Sequence, residues 1–405
     1  MNPIPVISTT NALAEFCQHL GQSDFVAVDT EFMRQSTYWP ELCLVQLASP
    51  DDEAVVDPLA PGIDLAPFYE LMADASTMKV FHAGRQDVEI IHHEADIIPL
   101  PIFDTQIAAM VCGFGEAVSY GALVKRLARK NLDKSSRFTD WSRRPLTDKQ
   151  LRYALGDVTH LRGIYLKLKE ELETSRRSSW VAEEMAELTD PRNYRTEPED
   201  AWKRLKNRAR NHSELAIMIE LAAWREREAQ RQNVPRNRVV KDDTIYDVMV
   251  QAPMTLEDLA KLRTVHDGMA RSQRGRDMVE AVKTALERPA EELPELPVHE
   301  PLPPSAVAAA DLLRVLLKAV AAEHNVAAKL IANTEELDKI AVDDNADVPA
   351  LHGWRRELFG ESALAIKSGR LAMSIRNGHI VTYPLDEAFG ENDGQSASPV
   401  TAGAD

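Results

Sequence analysis

The chain is poor in cysteine: three residues, Cys17, Cys43 and Cys112, with no Cys-x-x-Cys pair among 405 positions. That scarcity excludes a disulfide framework and a thiolate zinc site. Long apolar runs are missing too, and nothing reaches the roughly 18 residues of a membrane span. The first residues, Met1-Asn2-Pro3-Ile4-Pro5-Val6-Ile7, lack the charged start and apolar core of a secretory leader. A soluble protein of the reducing cytoplasm, with no membrane partner, is the expectation. Positive charge is also in deficit. Lys and Arg number 47 against 64 Asp and Glu, a net charge of −17, which on its face argues against nucleic acid.

That average hides a segregated pattern. Residues 121–170 hold 13 Lys and Arg against 5 Asp and Glu. A second basic cluster, Lys203, Arg204, Lys206, Arg208 and Arg210, contains no acid. Acidic residues crowd instead around 287–300, 335–347 and the tail. Local patches set phosphate contacts and steering, although a charge run is more often a solvated helix face.

The length and 44% hydrophobic content suffice for two or three domains. Phe25–Thr30, Leu42–Ala48 and Glu53–Pro58 are expected to be strands, the third stopped by its proline. A helix over Asp64–Ala73, a strand at Met78–His82, a helix over Gln86–His93 and a strand at Ile102–Thr105 follow. This order points to a mixed sheet covered by helices over residues 1–190. After a linker at 191–200, residues 206–288 carry only helical patterns, with Leu215, Ile219, Leu221, Trp224, Ile245, Val248, Leu259, Leu262, Met278 and Val282 as expected core. A Pro-rich acidic linker separates them from a second helical block, 305–375, of similar layout, a diverged repeat. The last residues, 386–405, are polar and acidic and are expected to be disordered.

Three carboxylate motifs stand out. In Asp29-Thr30-Glu31 the two acids lie two apart on a strand and share one side, where both can reach a hard cation. A solvated strand end is the plain alternative. In His82-Ala83-Gly84-Arg85-Gln86-Asp87 an acid falls in the first turn of a helix, where favourable interaction with the helix dipole would also explain it. In Tyr153-Ala154-Leu155-Gly156-Asp157 the phenol and carboxylate share one helix face, a pattern common without any function.

Taken in order, Asp29, Glu31, Asp87, Tyr153 and Asp157 match the three-motif signature of the DEDD exonucleases, Tyr subclass. With flanks Val28-Asp29-Thr30-Glu31-Phe32 and Arg143-Arg144-Pro145-Leu146, residues 5–180 resemble the ribonuclease D family. The later segments Trp224-Arg225-Glu226 and Asn233-Val234-Pro235 resemble an HRDC module, a helical unit shared with RecQ helicases. Residues 305–375 resemble a second, more diverged copy.

The resemblance implies an α/β RNase H-like (DnaQ-like exonuclease) domain followed by two all-α HRDC-like domains. It implies a 3′→5′ exoribonuclease that releases 5′-nucleoside monophosphates from structured RNAs such as tRNA precursors, working as a monomer with two divalent ions, Mg²⁺ or in its place Mn²⁺. Asp29 would bridge the ions, Glu31 and Asp157 would hold the nucleophile-side ion, and Asp87 would support the other. Tyr153 would orient the attacking water. Substrate contacts are expected from Phe32 and Met33 beside the first motif, from His82, from Trp141, Arg143 and Arg144, and from Lys203, Arg204 and Lys206. Core packing is the alternative for Phe32, Met33 and Trp141, and a satisfied strand-end histidine for His82. A DNA exonuclease is the competing activity. A catalytically dead RNA-binding scaffold would require a lost carboxylate, and all four are present.

Overall fold

The computed structural model describes residues 4–133, 136, 139–296 and 301–385. The expected disordered tail, 386–405, lies outside the described residues. The described chain forms two compact units, residues 4–109 with 118–296, and residues 110–117 with 301–385.

The first unit opens with β1 (Val6–Ile7), α1 (Thr10–Leu20), β2 (Phe25–Met33), β3 (Glu41–Ala48), β4 (Glu53–Val56), α2 (Ala66–Ala73), β5 (Met78–Phe81), α3 (Arg85–Ala95) and β6 (Ile102–Asp104). The strands make one sheet in the order β1-β4-β3-β2-β5-β6. β2, β3 and β4 run antiparallel, while β2, β5 and β6 are parallel, giving the mixed sheet expected from the sequence. Val26, Ala27, Val28, Leu44, Val45 and Val80 are fully buried within it. Near-continuous apolar runs of this kind mark strands covered on both faces.

Helices follow as α4 (Thr105–Val111), α5 (Tyr120–Leu123), α6 (Asp148–Thr159), α7 (Leu161–Thr174) and α8 (Ser178–Leu188). α6 begins with a capping box between Thr147 and Gln150, and it lies against β2, β3 and β4. Ala154, Leu155 and Val158 form its buried face.

A 3-10 helix, Pro198–Arg204, leads into α9 (His212–Gln232), α10 (Arg236–Val239), α11 (Asp242–Gln251), α12 (Leu256–Ala260), α13 (Asp267–Ala270) and α14 (Gln273–Glu287). Of the ten residues expected to form this core, eight are buried, while Trp224 and Leu262 are half-buried and pack against it. The block packs on the sheet through the loop after β2. α9 closes on Asn233 in the left-handed conformation (φ 49°). The Asn233 Oδ1 accepts the backbone N–H groups of Tyr38 (3.1 Å) and Trp39 (3.0 Å). The Tyr38 hydroxyl donates to buried Glu226, and Arg236 bonds both of them.

The second unit contains α15 (Pro304–Glu323), α16 (Ala328–Ile331), α17 (Thr334–Val342), α18 (Gly353–Arg355), α19 (Glu361–Lys367), β7 (Leu371–Arg376) and β8 (His379–Pro384). Leu313, Leu316, Ile331, Ile340 and Phe359 form its core. The expectation of helix up to residue 375 is corrected here by a hairpin. Asn377 (φ 52°) and Gly378 (φ 78°) both take positive φ, the conformation a two-residue turn needs to match the twist of paired strands. Within this unit the Ala327 N–H bonds the Met110 carbonyl at 3.0 Å. Gly113 (φ 74°) leaves room for Asn325, whose side chain would sit 2.2 Å from any Cβ there.

Candidate active site

Each carboxylate reaches the site by a local device. Asp29 and Glu31 alternate onto one side of β2, which is central in the sheet. Immediately after Glu31 the register against β3 slips by one residue, so that Glu31 faces Leu44 and Phe32 faces Leu42. Such bulges re-aim side chains beside functional sites.

Asp87 sits in the first turn of α3, after a sharp bend at Ala83 (φ 56°). At Gly84 a Cβ would lie 2.5 Å from that of Phe81, so only glycine fits. The Asp104 carboxylate at the end of β6 fixes the bend by accepting the N–H groups of Ala83 (3.0 Å) and Gly84 (2.8 Å). Asp157 and Tyr153 project from the half-buried side of α6.

One carboxylate oxygen from each of Asp29, Glu31 and Asp157 falls within 4.8 Å of the others. Asp87 is buried beside them and accepts the Thr30 hydroxyl at 2.5 Å. A cavity of about 300 Å³ opens on this group, and Tyr153, His82 and Tyr120 contribute to its walls.

Crowding of like charge away from water governs the electrostatics. Burial, then repulsion by Asp87, Asp157 and Glu31, drives the Asp29 carboxyl well above the carboxylate range. Burial first, then Asp157 and Asp87, pushes Glu31 up to about 8. Burial raises Asp87 to about 6 and Asp157 to about 7. An all-oxygen cluster that resists ionisation without a counter-charge is what a hard divalent cation binds and relieves. The residues fit such an ion.

The expected substrate contacts fare differently. Phe32 and Met33 are half-buried at the bulge. The His82 imidazole is held neutral by burial, and its Nδ1 lies 3.0 Å from the Thr105 hydroxyl.

Trp141 is only 3% exposed and lies behind the Tyr153 ring, with centroids 6.1 Å apart. It is core, and the expected stacking face is not available. Arg144 is corrected as well: it clamps Asp57 with two bonds (2.8 and 2.7 Å) and donates to the Cys43 and Trp141 carbonyls. Arg143 stays exposed beside Asp140. Lys203, Arg204 and Lys206 are exposed on or just beyond the 3-10 helix, with Lys203 paired to Asp200.

Sequence reasoning missed three residues. Tyr120 walls the cavity, donates to the Gly156 carbonyl at 3.0 Å, and is kept neutral by burial and by Asp157 and Asp29. Gln46, cross-strand from Asp29, is fully buried with neither amide atom bonded among the described residues. Asp104 is the third. Only the strand-end position of Asp104, in line with Asp29, was a usable signal.

Comparison with known proteins decides the family. The 3′-5′ exonuclease family matches residues 4–173, and the HRDC domain matches residues 214–282. Ribonuclease D of Nitrobacter hamburgensis is 52% identical over 377 residues, covering 93% of this chain and 98% of that protein. The chain belongs to the ribonuclease D family.

Ribonuclease D of Bartonella henselae is 45% identical, covering 94% of both chains. The crystal structure of Escherichia coli RNase D superposes with a TM-score of 0.80 at 30% identity, over 91% of this chain and 99% of that one. The protein is therefore a 3′→5′ exoribonuclease of a divalent-metal-dependent family, and the DNA exonuclease alternative is not favoured. No helix among the described residues is long and apolar enough to cross a membrane.

Proposed function

We propose that Asp29, Glu31, Asp87 and Asp157 hold two Mg²⁺ ions and, with Tyr153, form the catalytic site for trimming the 3′ ends of structured RNAs such as tRNA precursors. The observation that carries this reading is the meeting of three carboxylates from β2 and α6 within 4.8 Å, beside buried Asp87 and in one cavity with Tyr153. Divalent ions, when bound there, lower the pKa of a water and neutralise charge on the attacking and leaving oxygens.

The chain's own residues supply position. Tyr153, one helical turn before Asp157, orients the nucleophilic water. Neutral Tyr120 and His82 close the cavity wall without adding charge. Phe32 and Met33, at the bulge, pack against the terminal nucleotide. Arg143, Lys203, Arg204 and Lys206 offer exposed cations to the phosphates of the RNA.

The structured-RNA substrate is supported by the likeness to the Escherichia coli enzyme, described as an exoribonuclease involved in structured RNA processing. The second unit is read as a diverged HRDC copy. Its long helix α15 leads to Asn325 (φ 52°), then Val326 and a four-residue helix, as α9 leads to Asn233 (φ 49°), Val234 and Pro235 and another such helix. A monomer in the cytoplasm completes the reading.

A 5′-labelled tRNA precursor incubated with the full chain and Mg²⁺ is expected to give a ladder shortening from its 3′ end. Asp29→Asn is expected to abolish the ladder while RNA binding persists. Undiminished trimming by that variant would overturn the assignment, and equal cleavage of an all-DNA oligomer would restore the DNA alternative.

A further inference from the structure

We propose that the joint between the exonuclease sheet and α9–α10 holds a second, non-catalytic anion site, which takes a backbone phosphate of the RNA strand leading to the active site. The proposal rests on the reading of the chain as an RNA exonuclease and adds a place where the strand is gripped.

A cavity of about 390 Å³ lies there. Four arginines from four separate segments line it: Arg34 just past β2, Arg204 on the 3-10 helix, Arg225 on α9 and Arg236 on α10. Asp242 is the carboxylate on its wall. Three of the guanidinium groups are already balanced. Glu89 grips Arg34 with two bonds (2.9 and 2.8 Å), Asp242 takes Arg225 (2.5 Å), and Glu226 takes Arg236 with two bonds (both 2.6 Å). Those pairs lock the planar donors in place. Arg204 bonds instead to the Thr196 hydroxyl at 2.8 Å, so its positive charge is the local surplus.

Two polar atoms of the lining residues, the Thr37 Oγ1 and the Arg225 Nε, are buried with no hydrogen-bond partner among the described residues. Arg225 is 4% exposed. A guanidinium N–H can only donate, and a hydroxyl can donate as well. An acceptor is what Arg225 lacks and what Thr37 can also use, and the surplus charge of Arg204 makes an anionic oxygen the matching one. In an RNA-processing enzyme that oxygen belongs to phosphate, which arginine binds in fixed geometry. Arg34 stands three residues past Glu31. At the rise of an extended chain this is about 10 Å, so one strand can reach both sites.

The test measures binding of an RNA hairpin with a 3′ overhang, across a salt series, to the full chain carrying Asp29→Asn. Adding Arg204→Gln is expected to weaken binding about threefold to tenfold and to reduce the slope of log affinity against log salt by about 1. Arg204→Lys restores the slope. Thr37→Val, which changes no charge, weakens binding about threefold and leaves the slope intact. Affinity and slope unchanged in both Arg204→Gln and Thr37→Val would overturn the proposal and leave the cavity to ordered water. If inorganic phosphate raises the melting temperature of the parent but not of Arg204→Gln, while RNA affinity is equal in the two, the site takes a free anion and the proposal also fails. The wild-type ladder reports separately on the exonuclease reading. Trimming that persists while the variants match their parent removes only the anion site.

Discussion

Removing divalent metal should make the fold sensitive to alkali, with the sensitivity centred on the carboxylate cluster. Glu31 is raised from 4.5 to about 8, Asp157 from 3.8 to about 7 and Asp87 from 3.8 to about 6. A carboxyl whose pKa is raised by folding holds its proton more tightly in the native state. Its contribution is fully present below the unfolded pKa and is lost as pH rises through the folded pKa.

The metal-free protein should therefore lose stability between about pH 4 and about pH 8. Because the groups repel one another, their contributions do not add. The loss is on the order of 4 kcal/mol, the worth of one carboxyl displaced by about three pH units. For a unit of this size that is roughly 5–10 °C in melting temperature. Mg²⁺ cancels the repulsion, so the shift it produces should grow from about pH 5.5 to about pH 8.5. At saturation its own binding adds about 2.7 kcal/mol at a hundredfold excess over Kd. The assay is thermal melting of wild type and Asp29→Asn at both pH values, with EDTA or Mg²⁺. The difference between the two proteins isolates the cluster from the other titrating groups. An equal Mg²⁺ shift at both pH values, or a metal-free wild type more stable at the higher pH relative to Asp29→Asn, would refute the reasoning.

Tyr153→Phe is expected to lower kcat on RNA about a hundredfold with KM nearly constant; a rise in KM alone would make the phenol a binding group. Asn233→Ala removes the acceptor of two backbone N–H groups and strains a left-handed position, so urea denaturation should show a loss of about 2–3 kcal/mol. Trp141→Ala should cost about 3–5 kcal/mol of stability, and a raised KM with unaltered melting would return it to the substrate surface.

The clustering of the carboxylates was legible because their signals are local. Strand alternation alone puts Asp29 and Glu31 on one side, and helix spacing alone pairs Tyr153 with Asp157. The ordering of three motifs supplied what no single one carries. Arg144 and Trp141 misled because a basic pair beside an aromatic reads as an RNA surface. Arg144 is instead held by Asp57 and Cys43, about a hundred residues away in the chain, and Trp141 is buried against the Tyr153 ring. Gln46 and Tyr120 gave no signal, since a glutamine in a strand and a tyrosine opening a short helix acquire meaning only when β2 or α6 lies alongside. The β7–β8 hairpin was legible in principle, through Asn377-Gly378, but the helical pattern before it extended the expectation too far.

The closure of α9 on Tyr38 bears on how such enzymes can be rebuilt. The strand that carries Asp29 and Glu31 runs into a loop whose backbone is capped by Asn233 and whose buried phenol is shared by Glu226 and Arg236, 188 and 198 residues downstream of Tyr38. The exonuclease sheet is thus not an interchangeable cassette. Cutting the gene at the linker, or grafting on a foreign helical block, separates residues that inherit their environment from one another. A chimera has to carry Tyr38, Trp39, Glu226, Asn233 and Arg236 together, as one character written in two distant places.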